Sequence, residues 1–142
     1  NHESPRRGET FVTKKIVNAL CRIKEGKQKK LFLGNLNAKR DWGHAREYCK
    51  AMWKILQQKK PDDYVIATGT TNTVRKFCDL AFAHVGLDYR DYVKTDPKLF
   101  RPAEVAALQG NANKAGEILG WSPTTTFQNL VVEMVEHDLA QI

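Results

Sequence analysis

The sequence has few cysteines and no long apolar run, and each absence excludes a class of protein. Cys21, Cys49 and Cys78 form no CxxC pair and no Cys/His cluster, so the sequence supports neither a disulfide framework nor a zinc site. Each cysteine lies in an apolar helical pattern, and we expect buried or partly buried free thiols in a reducing cytoplasm. No stretch approaches the ~20 apolar residues of a membrane helix, and no signal peptide opens the chain, so we expect no membrane partner.

Familiar catalytic and ligand-binding motifs are also missing. The sequence contains no glycine-rich phosphate loop, no HExxH motif and no Ser/His/Asp order. His84 and His137 lie within predicted helices, where a histidine is more often structural or solvated than catalytic. We therefore expect no metal ligand in this chain.

Acidic residues are fewer than basic ones. Lys and Arg total 23 against 16 Asp and Glu, which gives a formal charge of +7. This balance favours an anionic partner: a nucleic acid, an acidic surface or a phosphorylated small molecule. The lysine-rich segment 24–30 carries no interleaved aromatic residue, so we interpret it as a solvated turn and expect no nucleic-acid partner.

The 142 residues have the size of one domain, and their patterns predict an α/β fold. Apolar residues at helical spacing predict four helices. Their stripes are Val12, Ile16, Leu20 and Ile23; Ala45, Tyr48, Met52, Ile55 and Leu56; Val74, Phe77, Cys78, Ala81 and Val85; and Phe127, Leu130, Val131, Met134 and Val135. A short helix is predicted over 112–119, and 87–110 reads as irregular.

Two apolar runs predict strands, LFL at 31–33 and YVIAT at 64–68. The second is continuously apolar, as in strands that are buried on both faces of a parallel sheet. Two short strands do not form a stable sheet alone, so YVIAT needs neighbours that this chain does not obviously supply. The chain also opens at Asn1 inside a dense polar segment. We therefore expect a fragment, or one chain of a split protein.

Three polar segments are candidates for binding an anion. Arg7 precedes a predicted helix, Arg40 lies beside Asp41 and Trp42, and Arg101 and Glu104 flank Pro102. A guanidinium can form bidentate bonds to phosphate oxygens, and a glutamate can accept from ribose hydroxyls or a guanine edge. The alternatives are a solvated capping loop, an Arg40–Asp41 structural pair with Trp42 as a packing anchor, and a surface loop with an incidental charge pair.

Taken together, these segments resemble the GDP-mannose 4,6-dehydratase family of extended short-chain dehydrogenase/reductases. The resemblance covers essentially the whole chain and corresponds to the C-terminal portion of that family. The motifs that carry it follow in the family's order: NHESPRRGETFVTKKI at 1–16, LGNLNAKRDWGHAREY at 33–48, DDYVIATG at 62–69, TVRKF at 73–77, FRPAEV at 100–105 and LGWSP at 119–123.

The resemblance implies that residues 1–142 form the C-terminal nucleotide-sugar-binding portion, with strands that complete a Rossmann sheet. It also implies an NADP-binding Rossmann portion that is absent from this chain, a homo-oligomer such as a dimer or tetramer, and conversion of GDP-mannose to GDP-4-keto-6-deoxy-mannose in GDP-fucose biosynthesis. By motif position, His2 and Arg7 would contact NADP. The residues that would line the GDP-mannose site are Asn1, Lys15, Arg40, Arg101 and Glu104, with Arg40 and Arg101 at the diphosphate and Glu104 at the nucleoside end.

The family's glycine-rich turn and its catalytic residues would lie upstream of Asn1. No tyrosine in this chain has a lysine four residues later, so the Tyr-x-x-x-Lys pair is missing and we expect no catalytic residue here. Lys14, Asn37 and Asn111 stand where the family usually has Arg, Asp and Asp. Two alternatives stay open: an inactive GDP-sugar-binding fragment, and another nucleotide-sugar short-chain reductase or epimerase.

Overall fold

The computed structural model describes residues 1–142, which form six helices and seven short strands. The helices are α1 (Val12–Lys24), α2 (Ala45–Leu56), α3 (Val74–His84), α4 (Tyr89–Tyr92), α5 (Asn113–Leu119) and α6 (Phe127–Leu139). The strands are β1 (His2–Glu3), β2 (Leu31–Leu33), β3 (Lys39–Arg40), β4 (Gly43–His44), β5 (Asn72–Thr73), β6 (Val93–Thr95) and β7 (Ala107–Leu108). A 3-10 turn spans Pro97–Leu99.

The main core forms where α1, α3 and α6 pack against one another and against β2 and β6. Each helix contributes the apolar stripe that its sequence predicts, and Ile16, Phe77 and Val131 are fully buried. Asp138 is a charged residue within the apolar stripe of α6. Its carboxylate accepts a 2.6 Å hydrogen bond from the Lys14 ammonium. This half-buried ion pair ties α6 to α1. No helix is long and apolar enough to span a bilayer.

The strands form three small sheets rather than one. β2 pairs in parallel with β6, β1 pairs in parallel with β4, and β3 lies between antiparallel β5 and parallel β7. The prediction that 87–110 is irregular was therefore wrong, since this segment contains α4, β6 and β7. Strands this short are specified by the partner that supplies their hydrogen bonds, and local sequence carries little of that information.

A second, smaller core lies between α2 and α5. Tyr48 and Ala51 of α2 pack on Ala115 and Leu119 of α5, and Trp121 completes the cluster. The predicted apolar face of α2 is only partly correct, because Met52 and Leu56 are 53% and 80% exposed. Cys49 is also exposed, which corrects the expectation that all three thiols are buried or partly buried. The helix is apolar on two sides, and α5 covers only one of them.

The segment 64–68 does not form the strand that its apolar run predicts. It pairs with no other strand of the chain. Tyr64 and Ile66 pack against the second core, whereas the Val65 side chain is 55% exposed. A strand requires a partner for its backbone groups, and residues 1–142 place none beside this segment.

Candidate functional site

A cavity of about 520 Å³ opens between the N-terminal segment, the start of α1 and the loops around 34–42 and 99–104. Six of the seven binding residues expected from the resemblance line this cavity: Asn1, Arg7, Lys15, Arg40, Arg101 and Glu104. They come from four separate stretches of the sequence, so only the tertiary fold brings them together. His2 does not line the cavity.

At one wall of the cavity, a buried carboxylate holds an arginine. Glu3 is only 3% exposed, and it accepts a 2.5 Å hydrogen bond from the buried Thr13 hydroxyl. Arg7 Nε lies 3.2 Å from Glu3 Oε2, and the Arg7 guanidinium stacks 3.5 Å from the centre of the Phe11 ring. Burial raises the pKa of the Glu3 carboxyl, against the opposing effects of the Thr13 hydrogen bond and the Arg7 charge. Glu3 was not among the predicted site residues, and because residues 3–7 are not helical, its spacing to Arg7 gave no signal of this pair.

At the opposite wall, Arg40 is largely occupied by contacts within the chain. Its Nη1 donates to the backbone carbonyls of Lys39 and Val105 at 2.8 and 2.9 Å, and its Nη2 lies 3.6 Å from Glu104 Oε1. The alternative of an Arg40–Asp41 pair is therefore wrong, since the carboxylate that faces Arg40 belongs to Glu104. The pair fastens the 104–105 segment to β3.

Lys15 and Arg101 also line the cavity but have no carboxylate partner. Both side chains are exposed, and neither makes a side-chain hydrogen bond or an ion pair within the chain. Two of the four cationic groups are thus compensated, by Glu3 and Glu104, and two are not. An uncompensated pair of cations at an open cavity is suited to an anion with about two charges, such as a diphosphate.

Asp41 holds together the loops that frame this region. Its carboxylate is 4% exposed and accepts hydrogen bonds from Thr68 N, Thr68 Oγ1, Gly69 N and Gly110 N, at distances of 2.5–3.1 Å. These donors belong to two loops that are far from Asp41 in sequence. Thr68 and Gly110 are partly buried and no strand ladder pairs their backbone N–H groups, so the Asp41 carboxylate is the acceptor that the structure provides for them.

Trp42 is a packing anchor that also lines the cavity. Its ring is 4% exposed, stacks on Phe127 at a centroid distance of 5.7 Å and meets Phe77 edge-on at 5.9 Å. The anchor interpretation of Trp42 is therefore confirmed. The ring joins the three-helix core directly to the floor of the site.

Several predicted or neighbouring groups lie outside the cavity. His2 is half-buried with its ring edge-on to Tyr48 at 5.5 Å, and burial, followed by the charge of Arg7, lowers its pKa. Arg75 lies on the surface of α3 and donates to Asn37 Oδ1 at 3.2 Å. Lys14, Asn37 and Asn111 do not line the cavity, so the three departures from the family pattern fall away from it.

A second depression, of about 770 Å³, lies between the 67–69 loop, the 109–113 loop and the Trp121 turn. It is wider and more open, but no cationic side chain lines it. Glu117 is the one charged residue in its lining. This depression therefore has no electrostatic preference for an anion, and the smaller cavity is the better candidate site.

The sequence profile of the family described as GDP-mannose 4,6 dehydratase matches residues 1–134. GDP-mannose 4,6 dehydratase 2 of Arabidopsis thaliana is 60% identical over 139 residues, which are 98% of this chain and 37% of that protein. GDP-mannose 4,6 dehydratase 2 of Caenorhabditis elegans is 51% identical over 156 residues, which cover 99% of this chain and 41% of that protein. The chain thus spans about two fifths of the length of these curated relatives.

Two solved structures share the fold at low sequence identity. RMD from Pseudomonas aeruginosa, complexed with NADPH, has a TM-score of 0.89 and 19% identity, covering 100% of this chain and 47% of that one. MoeE5, in complex with UDP-glucuronic acid and NAD, has a TM-score of 0.84 and 14% identity, covering 100% of this chain and 46% of that one. Both share the α/β fold of this chain, which covers less than half of each of them.

Replacing Asp41 with alanine should destabilise the chain strongly. The change removes the acceptor of four part-buried hydrogen bonds, and a single hydrogen bond to a charged group contributes about 1.5–3 kcal/mol, so we expect a loss of at least about 2 kcal/mol in the free energy of unfolding. Urea denaturation monitored by circular dichroism measures it. Asp79→Ala, at an exposed position of α3, is the control and should cost less than about 0.5 kcal/mol. Similar losses in both variants would contradict the anchoring role of Asp41.

Proposed function

This chain belongs to the GDP-mannose 4,6-dehydratase family, and on that premise we propose that it is the nucleotide-sugar-binding half of an NADP-dependent GDP-mannose 4,6-dehydratase. The observation that carries the proposal is the shared cavity of Arg7, Lys15, Arg101 and Glu104. The complete protein would convert GDP-mannose to GDP-4-keto-6-deoxy-mannose. The other half, the NADP-binding Rossmann portion, would supply the proton-transfer residues that this chain lacks.

Each lining residue has a role that its chemistry suits. Lys15 and Arg101 would bind the diphosphate of GDP-mannose, because their charges have no partner within the chain. Glu104, at the same wall as Arg40, would accept hydrogen bonds from the nucleoside. Arg40 would act mainly by fixing Glu104 and the 105 carbonyl, since three contacts already engage its guanidinium.

The residues present fit one end of NADP. The Arg7 Nη groups make no hydrogen bond within the chain, so this guanidinium is free to bind a phosphate once Glu3 and Phe11 fix its plane. His2 would contact NADP from beyond the cavity lining. When bound, NADP would supply reversible hydride transfer to and from the sugar. The contribution of this chain is to hold and orient the nucleotide sugar.

The exposed apolar face of α2 is the surface on which we propose that the Rossmann portion docks. Cys49, Met52, Trp53 and Leu56 follow one another at i, i+3, i+4 and i+7, and form an exposed stripe on the side of α2 away from α5. The unpaired segment 64–68 packs on the same small core. Here α2 is apolar on two sides, and the apolar segment beside it has no strand partner. Both features are typical of elements that pack against a β-sheet. The relatives are more than twice as long as this chain, which supplies the polypeptide needed.

The proposed activity is tested by reconstitution. The purified chain is incubated with GDP-mannose and NADP, alone and after the NADP-binding portion of the full-length protein is added or fused, and the 4-keto product is measured. We expect no turnover from residues 1–142 alone, because no Tyr-x-x-x-Lys pair is present, and turnover when the other portion is supplied. Turnover by the chain alone would contradict the assignment of catalysis to the missing half. GDP-mannose binding without turnover in the complete protein would favour the alternative of an inactive binding fragment.

In the complete protein, Arg101→Ala should weaken GDP-mannose binding. A charge-assisted hydrogen bond contributes about 1.5–3 kcal/mol, and because Arg101 is exposed we reduce this to about 1 kcal/mol and expect at least about a fivefold rise in Kd. Isothermal titration calorimetry measures it. Arg22→Ala, an exposed arginine of α1 that does not line the cavity, is the matched control and should leave Kd unchanged. An unchanged Kd for Arg101→Ala would remove Arg101 from the site.

Leu56→Asp should prevent association with the Rossmann portion while the chain itself stays folded. Leu56 is 80% exposed, so the substitution costs little within the chain but places a charge in the proposed interface. Co-elution in size-exclusion chromatography and reconstituted turnover are the measurements, with Lys50→Asp, an exposed α2 position off the stripe, as the control. Normal co-elution of the Leu56 variant would contradict this docking surface. Loss of a homodimer instead would assign the stripe to a second copy of the chain.

A further inference from the structure

The charges in the cavity are arranged as two compensated and two uncompensated cations. Glu3 lies 3.2 Å from Arg7, and Glu104 lies 3.6 Å from Arg40. Lys15 completes the cationic set with Arg101, and neither has an acidic partner. The four cationic and two anionic side chains thus leave the lining with two uncompensated positive charges.

Glu3 and Glu104 are both fixed in the cavity lining, where their carboxylates would repel an additional negative charge on the phosphate of a ligand. Glu3 is 3% exposed and hydrogen-bonded to Thr13, so it cannot turn away from the cavity when a ligand enters. Glu104 is half-buried and held by the Arg40 guanidinium. A fixed negative charge at a binding site lowers the affinity for the more highly charged of two anions, and selectivity is a difference between two affinities.

We propose that Glu3, together with Glu104, is a specificity-determining residue that selects a doubly charged diphosphate diester over a free nucleoside diphosphate. A nucleotide sugar such as GDP-mannose carries about two negative charges on its diphosphate, whereas GDP carries about three above the second phosphate pKa of about 6. The inference rests on the proposed function. The charged residues of the cavity bind GDP-mannose and discriminate against GDP, which lacks the sugar.

The ratio of two dissociation constants isolates this effect. Both ligands contain guanosine and a diphosphate, so loss of a nucleoside contact or a small rearrangement of Arg7 affects both similarly, and the ratio Kd(GDP-mannose)/Kd(GDP) reports the added phosphate charge. Removing one carboxylate charge from the partly solvated lining should raise this ratio by about threefold or more. The effect should persist in ~0.1 M salt, where the Debye length is about 10 Å.

The experiment measures both Kd values by isothermal titration calorimetry for the wild-type chain, Glu3→Gln, Glu104→Gln and Glu117→Gln at pH 7.5. Glu117 is exposed and outside the cavity, and its variant has the same net charge as the other two, so its ratio should match the wild type. Near pH 5.5 the charge difference between the ligands falls, and the ratio of each cavity variant should return toward that of the wild type. Glu104→Gln keeps the test decisive if Glu3→Gln fails to fold.

Each outcome separates this inference from the proposed function. A raised ratio for the cavity variants alone supports the inference. A ratio equal to the wild type in every folded variant, with GDP-mannose still bound, overturns the inference and leaves the proposed function standing. A ratio raised equally by Glu117→Gln attributes the effect to net charge and also overturns it. Failure of the wild-type protein to bind either ligand, both alone and with the NADP-binding portion supplied, contradicts both.

Discussion

Four donors from two distant loops converge on the buried carboxylate of Asp41, and the frame of the candidate site depends on that convergence. The strands around it are two or three residues long and cannot hold the loops by ladder hydrogen bonds alone. Next to it, Trp42 packs between Phe77 and Phe127 and links the same turn to the three-helix core. A single dipeptide thus connects the packed interior to the loops that carry the binding residues.

The chemistry of the cavity follows from which of its charges are compensated. Arg7 and Arg40 each have an acidic partner and are held in place, whereas Lys15 and Arg101 stay available at the open side. Compensated guanidinium groups keep their geometry without strong mutual repulsion, and the free pair supplies the attraction for an anion. This division accounts for a cavity that holds four cations within a small volume and still suits a ligand of modest charge.

Two apolar features at the surface of the fold have no partner within the chain. The chain spans about two fifths of its curated relatives' length, and it exposes an apolar stripe on α2 and an apolar segment at 64–68 that has no strand partner. Water solvates the apolar stripe poorly, and the apolar segment 64–68 has no strand partner within the chain. The proposed docking of this chain on a cofactor-binding portion would account for the uncovered surface.

The sequence by itself determined five of the six helices, the cation-rich segments and the family. The stripes of α1, α3 and α6 are periodic and need no partner to be recognised, and Arg7, Arg40 and Arg101 stand out by type and position. Only the tertiary structure decided which residues meet: that Glu104 rather than Asp41 faces Arg40, that Glu3 holds Arg7, that Met52 is exposed, and that β6 pairs with β2. The physical reason is that helical periodicity is a local property, whereas charge pairing, strand pairing and the burial of a helix that is apolar on two sides depend on segments that are distant in the chain.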